Sequence, residues 1–197
     1  MKKLLSILLI CVMCVSFAGC SSTTTTVEES EESSLEFRLP EWVSWGMKEG
    51  EVRQHFSATE VVSESGNWIY HRDYISGWGC GLEKHYGISD DNALLGVKYI
   101  YTYRETYELE PKTFEIFSEL KDEMSEEYGT PFSEDEKWIN DKYKGDEYMM
   151  NKAADEGDYI SQLVWQTEKG FCALSLNVDV CITYMPDSSE LPNYTEK

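Results

Sequence analysis

Residues 94–104 read Leu-Leu-Gly-Val-Lys-Tyr-Ile-Tyr-Thr-Tyr-Arg. Leu95, Val97, Tyr99, Tyr101 and Tyr103 recur at every second position, the period that puts side chains on one face of an extended strand. The other face holds Leu94, Gly96, Lys98, Ile100 and Thr102, so the tyrosine face is the one expected in the core. Eight residues on, the period changes. Over residues 112–128 Phe114, Phe117, Leu120, Met124 and Tyr128 form a single helical stripe. Pro111 stands before the helix, Gly129 at its end and Pro131 just past it, the usual start and stop residues. Its other side carries Glu115, Glu119, Lys121, Asp122, Glu123, Glu126 and Glu127, read as a solvated surface rather than a metal site. A strand of period two followed directly by an amphipathic helix means a mixed fold.

Working outward, Val52 and Phe56 at i, i+4 predict a short helix within residues 47–56, weakened by Gly50. Residues 67–73 and 78–86 read as two further strands. A second short helix is expected at 146–156. Strands at 159–167, 171–177 and 180–185 follow, joined by the turns Glu168-Lys169-Gly170 and Asn177-Val178-Asp179. The order α-β-β-β-α-(α)-β-β-β implies an α+β fold, an antiparallel sheet covered by helices, in one domain over residues 36–187. A helix followed by three strands occurs twice, which suggests two similar halves.

The two ends read differently. Met1-Lys2-Lys3 is a basic start, residues 4–15 are apolar apart from Ser6, and Phe17-Ala18-Gly19 leads to Cys20. A basic head, an apolar run of about 7–15 residues and small exit residues describe a secretory signal peptide, too short to span a bilayer. The segment resembles a bacterial lipoprotein signal peptide, whose last four residues are Leu, a small residue, Gly or Ala, and Cys; here Phe17 stands in place of Leu. The resemblance implies removal of residues 1–19 and lipidation of Cys20, with membrane affinity growing by ~0.8 kcal/mol per buried CH₂. It therefore implies an extracytoplasmic protein anchored on the outer face of the cytoplasmic membrane, or on an outer membrane where there is one. Residues 20–35 are then the lipidated cysteine and a Ser/Thr/Glu linker without an aromatic or basic residue, and residues 188–197 a disordered tail.

Removing Lys2 and Lys3 with the signal moves the formal charge from −20 to −22. Such acidity excludes nucleic acid and argues against direct contact with anionic headgroups. The layout as a whole is similar to a loose group of small bacterial cell-envelope lipoproteins. The residues that carry the likeness are Trp45-Gly46-Met47, Glu51-Val52 and Tyr128-Gly129-Thr130-Pro131, with Trp138 and Trp165 beyond. The helix-plus-sheet pattern is similar to β-lactamase inhibitory protein and to outer-membrane assembly lipoproteins. This implies a role in binding or assembly at the envelope, with another protein as partner. A cell-wall polysaccharide or small-ligand binding module is the alternative, and an enzyme the third reading.

The chemistry-bearing motifs are few. There is no G-x-S-x-G, H-E-x-x-H, P-loop or G-x-G-x-x-G, so no catalytic residue is assigned and no cofactor is expected. Gly77-Trp78-Gly79-Cys80-Gly81 lacks a following helix and reads as strand with a close backbone neighbour. His71, Cys80 and His85 are the one set that adjacent strands could bring to a metal; ordinary edge or surface histidines are the preferred reading, and no metal site is assigned. Ser89-Asp90-Asp91-Asn92 reads as a turn. Without the signal and Cys20, three cysteines remain. Cys80 shares parity with Leu82, and Cys172 with Leu174 and Leu176, so both face the core, while Cys181 lies opposite Ile182 and Tyr184. Outside the cytoplasm a disulfide is permitted. Cys80–Cys172 is the pair that parity allows best, and three free thiols are the other reading.

Overall fold

The structure, a computed structural model, describes residues 35–56, 63–65, 68–75, 78–102 and 112–187. The proposed signal, Cys20, nearly all of the linker and the tail lie outside the described residues, as do Tyr103 and Tyr107.

The fold is α+β. Helices α1 (Glu49–Arg53), α2 (Thr113–Tyr128) and α3 (Met150–Asp155) accompany strands β1 (Ser63–Ser65), β2 (Trp68–Ile75), β3 (Cys80–Ile88), β4 (Leu94–Thr102), β5 (Ser133–Trp138), β6 (Tyr159–Thr167), β7 (Gly170–Asn177) and β8 (Asp179–Met185). All pairings are antiparallel, and the spatial order is β1-β2-β3-β4-β8-β7-β6-β5. Two four-stranded meanders thus meet at their last strands, which is the two-half pattern with one more strand in each half than the sequence suggested.

Both additional strands lie at the edges. Ser133-Glu134-Asp135-Glu136-Lys137-Trp138 has no apolar alternation because one side pairs with β6 and the other faces solvent. Charged residues on such an edge discourage a stray strand from adding to it. The first helix is shorter than expected, and Trp78-Gly79 forms a turn, so β3 starts at Cys80.

The alternation within β4 places Val97, Tyr99 and Tyr101 in the core as expected. At its start the register shifts between Gly87 and Ile88, so that Leu94, and not Leu95, joins that face. Helix α2 buries Thr113, Ile116, Phe117, Leu120 and Met124, and lies over β6, β7 and β8. Its first amides are capped from another helix, the Phe114 and Glu115 N–H groups donating to Asn151 Oδ1 at 2.9 and 3.2 Å. At the far end Gly129 takes φ +81°, and its carbonyl accepts from the Trp165 indole N–H at 2.9 Å.

The linker boundary needs correction. Leu35 and Phe37 are only 3% and 6% exposed. Residues 35–38 form a strap across β4 and β8 beside the last turn of α2. The Tyr101, Tyr184 and Tyr99 hydroxyls donate to the carbonyls of Glu36, Phe37 and Arg38, in that order. Glu36 pairs with Lys84 at 2.7 Å, and Arg38 with Glu127 at 2.8 Å. Leu35 therefore belongs to the folded domain rather than to the linker. The tyrosines that looked like plain core residues also act through their hydroxyls, which satisfy a backbone that joins no sheet ladder.

Candidate binding face

The helices, the strap and the segment containing Trp42 and Phe56 lie on one side of the sheet. The strand register decides which residues point the other way: Trp68, Tyr70, Arg72 and Tyr74 from β2; Gly81, Glu83, His85 and Gly87 from β3; Lys98, Ile100 and Thr102 from β4. Cys181, Thr183, Phe171, Ala173, Ser175, Gln162 and Val164 continue this face across the second half. No described helix covers it.

Its charge is unlike that of the rest of the molecule. Across β2 to β8 this face carries Arg72, Lys98 and Lys137 against Glu83, Asp135 and Asp179, a balanced set, in a chain whose formal charge is −20. Most of the excess acid lies elsewhere, notably on the outer side of α2.

The β2–β3 end is built from rings. Trp68 faces Gly87 on the neighbouring strand, and a Cβ at Gly87 would come within 3.0 Å of the indole. The missing side chain lets the indole lie down against β3 with 39% of the residue exposed. Tyr70 stacks on His85 with centroids 5.1 Å apart and planes 16° apart, and His85 meets Trp68 edge-on at 6.2 Å. Arg72 Nε donates to Glu83 Oε1 at 2.8 Å, and His85 Nε2 lies 3.1 Å from Glu83 Oε2. Burial works against the Glu83 carboxylate, but the hydrogen bonds from His85 and Arg72 outweigh it and leave its pKa below the ordinary value. Tyr74 follows two positions beyond Arg72, 48% exposed. The opposite end is softer, with Phe132 and Phe171 in edge contact at 5.9 Å and Met185 beside them in register.

The structure separates residues that spacing alone left together. His71 and Cys80 lie on the covered face and His85 on the open one, so the three do not converge. Among the described residues, no group of three or more His, Cys, Asp or Glu is arranged to hold a metal. Among the described residues, no helix is long and apolar enough to cross a membrane.

Cys80 and Cys172 both face the core as parity required, yet they are not bridged. Strands β4 and β8 lie between them, which at ~4.8 Å per strand leaves at least about 14 Å, twice the reach of a disulfide. Shared parity in one sheet says nothing about proximity. Burial pushes the Cys80 thiol up to about 11 and the Cys172 thiol up to about 12.

Two clefts flank the strap. One of about 710 Å³ is lined by Leu35, Phe37, Arg38, Glu123 and Glu127 among others, and one of about 460 Å³ by Arg38, Tyr128, Lys169 and Tyr184 among others. Both are wide and shallow. No protein-family model, curated protein or solved structure matches this chain.

The sequence contained the signal for the open face in the alternation of residues 67–73. Ile69 and His71 share one side, so Trp68, Tyr70 and Arg72 share the other. What it lacked was any indication that no described helix covers that side.

Proposed function

We propose that the protein is a lipid-anchored, extracytoplasmic binding module whose uncovered sheet face docks a protein partner at the cell envelope. The observation that supports this reading is the charge-balanced, partly apolar face on an otherwise strongly acidic body. Depletion of charged residues and enrichment of aromatic ones distinguish the centre of an interface from ordinary surface, and on this face β6 and β7 carry no charged side chain. The size fits as well. Seven strands at ~4.8 Å spacing and about eight residues at ~3.3 Å give roughly 900 Å², enough for the ~800 Å² that one partner contributes to an interface of standard size. The anchor is Cys20, and the acidic body is held off the membrane by the linker.

Photo-crosslinkers placed singly at Gln162, Val164 and Thr183, and at Glu119 and Glu126 on α2, test the docking face in living cells. The expected result is one discrete protein adduct from the sheet positions, absent from the helix positions and lost when Phe171→Asp is added. Equal labelling from both sides, or none from the sheet, would overturn the reading. For the anchor, Cys20→Ala is expected to release the protein from membranes or to stall its processing; a variant that is still processed and membrane-bound would refute lipidation.

A further inference from the structure

We infer that the β2–β3 end of the open face is a stacking site for an uncharged pyranose chain. The inference takes the extracytoplasmic placement from the reading above, but it uses strands in the other half of the sheet from Phe171 and Met185.

Three features converge there. The first is an exposed indole seated against the sheet. Gly87 leaves the space that the six-membered ring of Trp68 occupies beside β3, and 39% of the residue remains exposed. A sugar ring has the complementary form, with one side made of C–H bonds and hydroxyls at the rim. The amphipathic rings of Trp and Tyr suit such a surface because they offer an apolar plane beside a wet edge. The second feature is a neighbouring pair of rings: Tyr70 and His85 stack on each other beside Trp68, standing at a steep angle to the indole and walling one side of it. The third is a polar fork at its edge. Arg72 is locked onto Glu83 in line with the rings and, nearly half exposed, has guanidinium N–H donors beyond the two that Glu83 takes to offer to vicinal hydroxyls.

The charges select against ionic ligands. Arg72, the cation nearest the rings along β2, is committed to Glu83, and Lys98 faces His85 across the pair β3–β4. A carboxylated or phosphorylated sugar would find no unmatched cation on β2 or β3 and would approach a body of formal charge −20. A chain rather than a single sugar is indicated by Tyr74, six residues and therefore ~20 Å along β2 from Trp68.

The test uses the chain from Cys20 to Lys197 with Cys20→Ser, titrated with soluble oligomers of β-1,4-linked N-acetylglucosamine and of β-1,4-linked glucose. Binding is followed by tryptophan fluorescence and calorimetry. Saturable binding of at least one series is expected, with Trp68→Ala weakening it by about tenfold or more, the effect of losing one stacked ring. Gly87→Ala keeps the indole but forces it off the backbone, and is also expected to weaken binding while far-UV circular dichroism stays unchanged. Phe171→Asp should leave sugar binding intact while abolishing the protein adduct described above, so the two readings fail separately. The inference is overturned if neither series binds at ~10 mM sugar, the weak end of specific recognition. It is also overturned if binding survives both Trp68→Ala and Gly87→Ala, or if a proline-rich peptide occupies Trp68 and the sugars do not.

Discussion

Replacing Phe37 with alanine tests whether the strap belongs to the fold or merely rests on it. Phe37 is 6% exposed, meets Tyr128 edge-on at 6.2 Å and lies under the Arg38 guanidinium at 5.3 Å. Its carbonyl accepts from the Tyr184 hydroxyl, whose pKa burial raises far above that of a free tyrosine, so the donor stays protonated. A buried Phe→Ala change costs roughly 3–5 kcal/mol, the spread depending on how far the site collapses. Here a cleft of about 710 Å³ adjoins the ring, so neighbours can move in and the lower end applies, about 3 kcal/mol. With a urea slope near 2 kcal/mol/M, that lowers the midpoint by about 1.5 M. Urea titration of the chain from residue 20 onward, followed by circular dichroism, measures it. The slope should hold and the midpoint fall. A second variant, Tyr101→Phe, leaves the Glu36 carbonyl without its donor and should cost about 1 kcal/mol. A loss below about 1 kcal/mol for Phe37→Ala, against the ~3 expected from burial, would mean that the strap is an attachment and that the sheet's core closes without it.

Other measurements bear on the same structure. Val178 holds φ +66° at the β7–β8 turn, a conformation costly for a β-branched residue, so Val178→Gly should raise stability by about 1 kcal/mol; a loss would show that its side chain is needed. Asp179 has its pKa raised, chiefly by burial and next by the Glu83 carboxylate, against the opposing Lys98 ammonium. A carboxyl raised in the folded state contributes most below its unfolded pKa, near 3.9, and loses that contribution as pH rises through the folded value. Asp179→Asn should therefore stabilise the protein at pH 7, with the advantage shrinking as the pH falls through the raised folded-state value and gone below about 4; a gain that ignores pH would refute the assignment. Because Cys80 and Cys172 are buried with raised pKa values, alkylation at pH 8 should spare both in the folded protein and modify Cys80, Cys172 and Cys181 once it unfolds. Detection of a Cys80–Cys172 peptide under non-reducing conditions would contradict the strand order itself.

Much of the fold was legible because its decisive signals are local. The period of two in β4, the stripe on α2 and the glycine that ends it all express how a few consecutive residues bury one side. Strands β6, β7 and β8 follow from their own alternation and from the turns between them. Strand β5 was not legible, because five polar residues and a single tryptophan at an edge show no apolar alternation. The first half of the candidate binding face could be read from the parity of β2, but its openness could not.

The sequence by itself determined the fold class, the positions of most elements, which side of each strand enters the core, and the features that suggest an envelope protein. Each depends on residues only a few positions apart. Tertiary structure alone decided the strand order, and with it every relation across strands. It put β4 and β8 between two cysteines that parity had paired, and it sent His85 to the opposite face from His71. It drew the end of the linker into the core through three tyrosine hydroxyls, and left the charge-balanced side of the sheet without a described helix over it. These are contacts between residues tens of positions apart, and no local period encodes them.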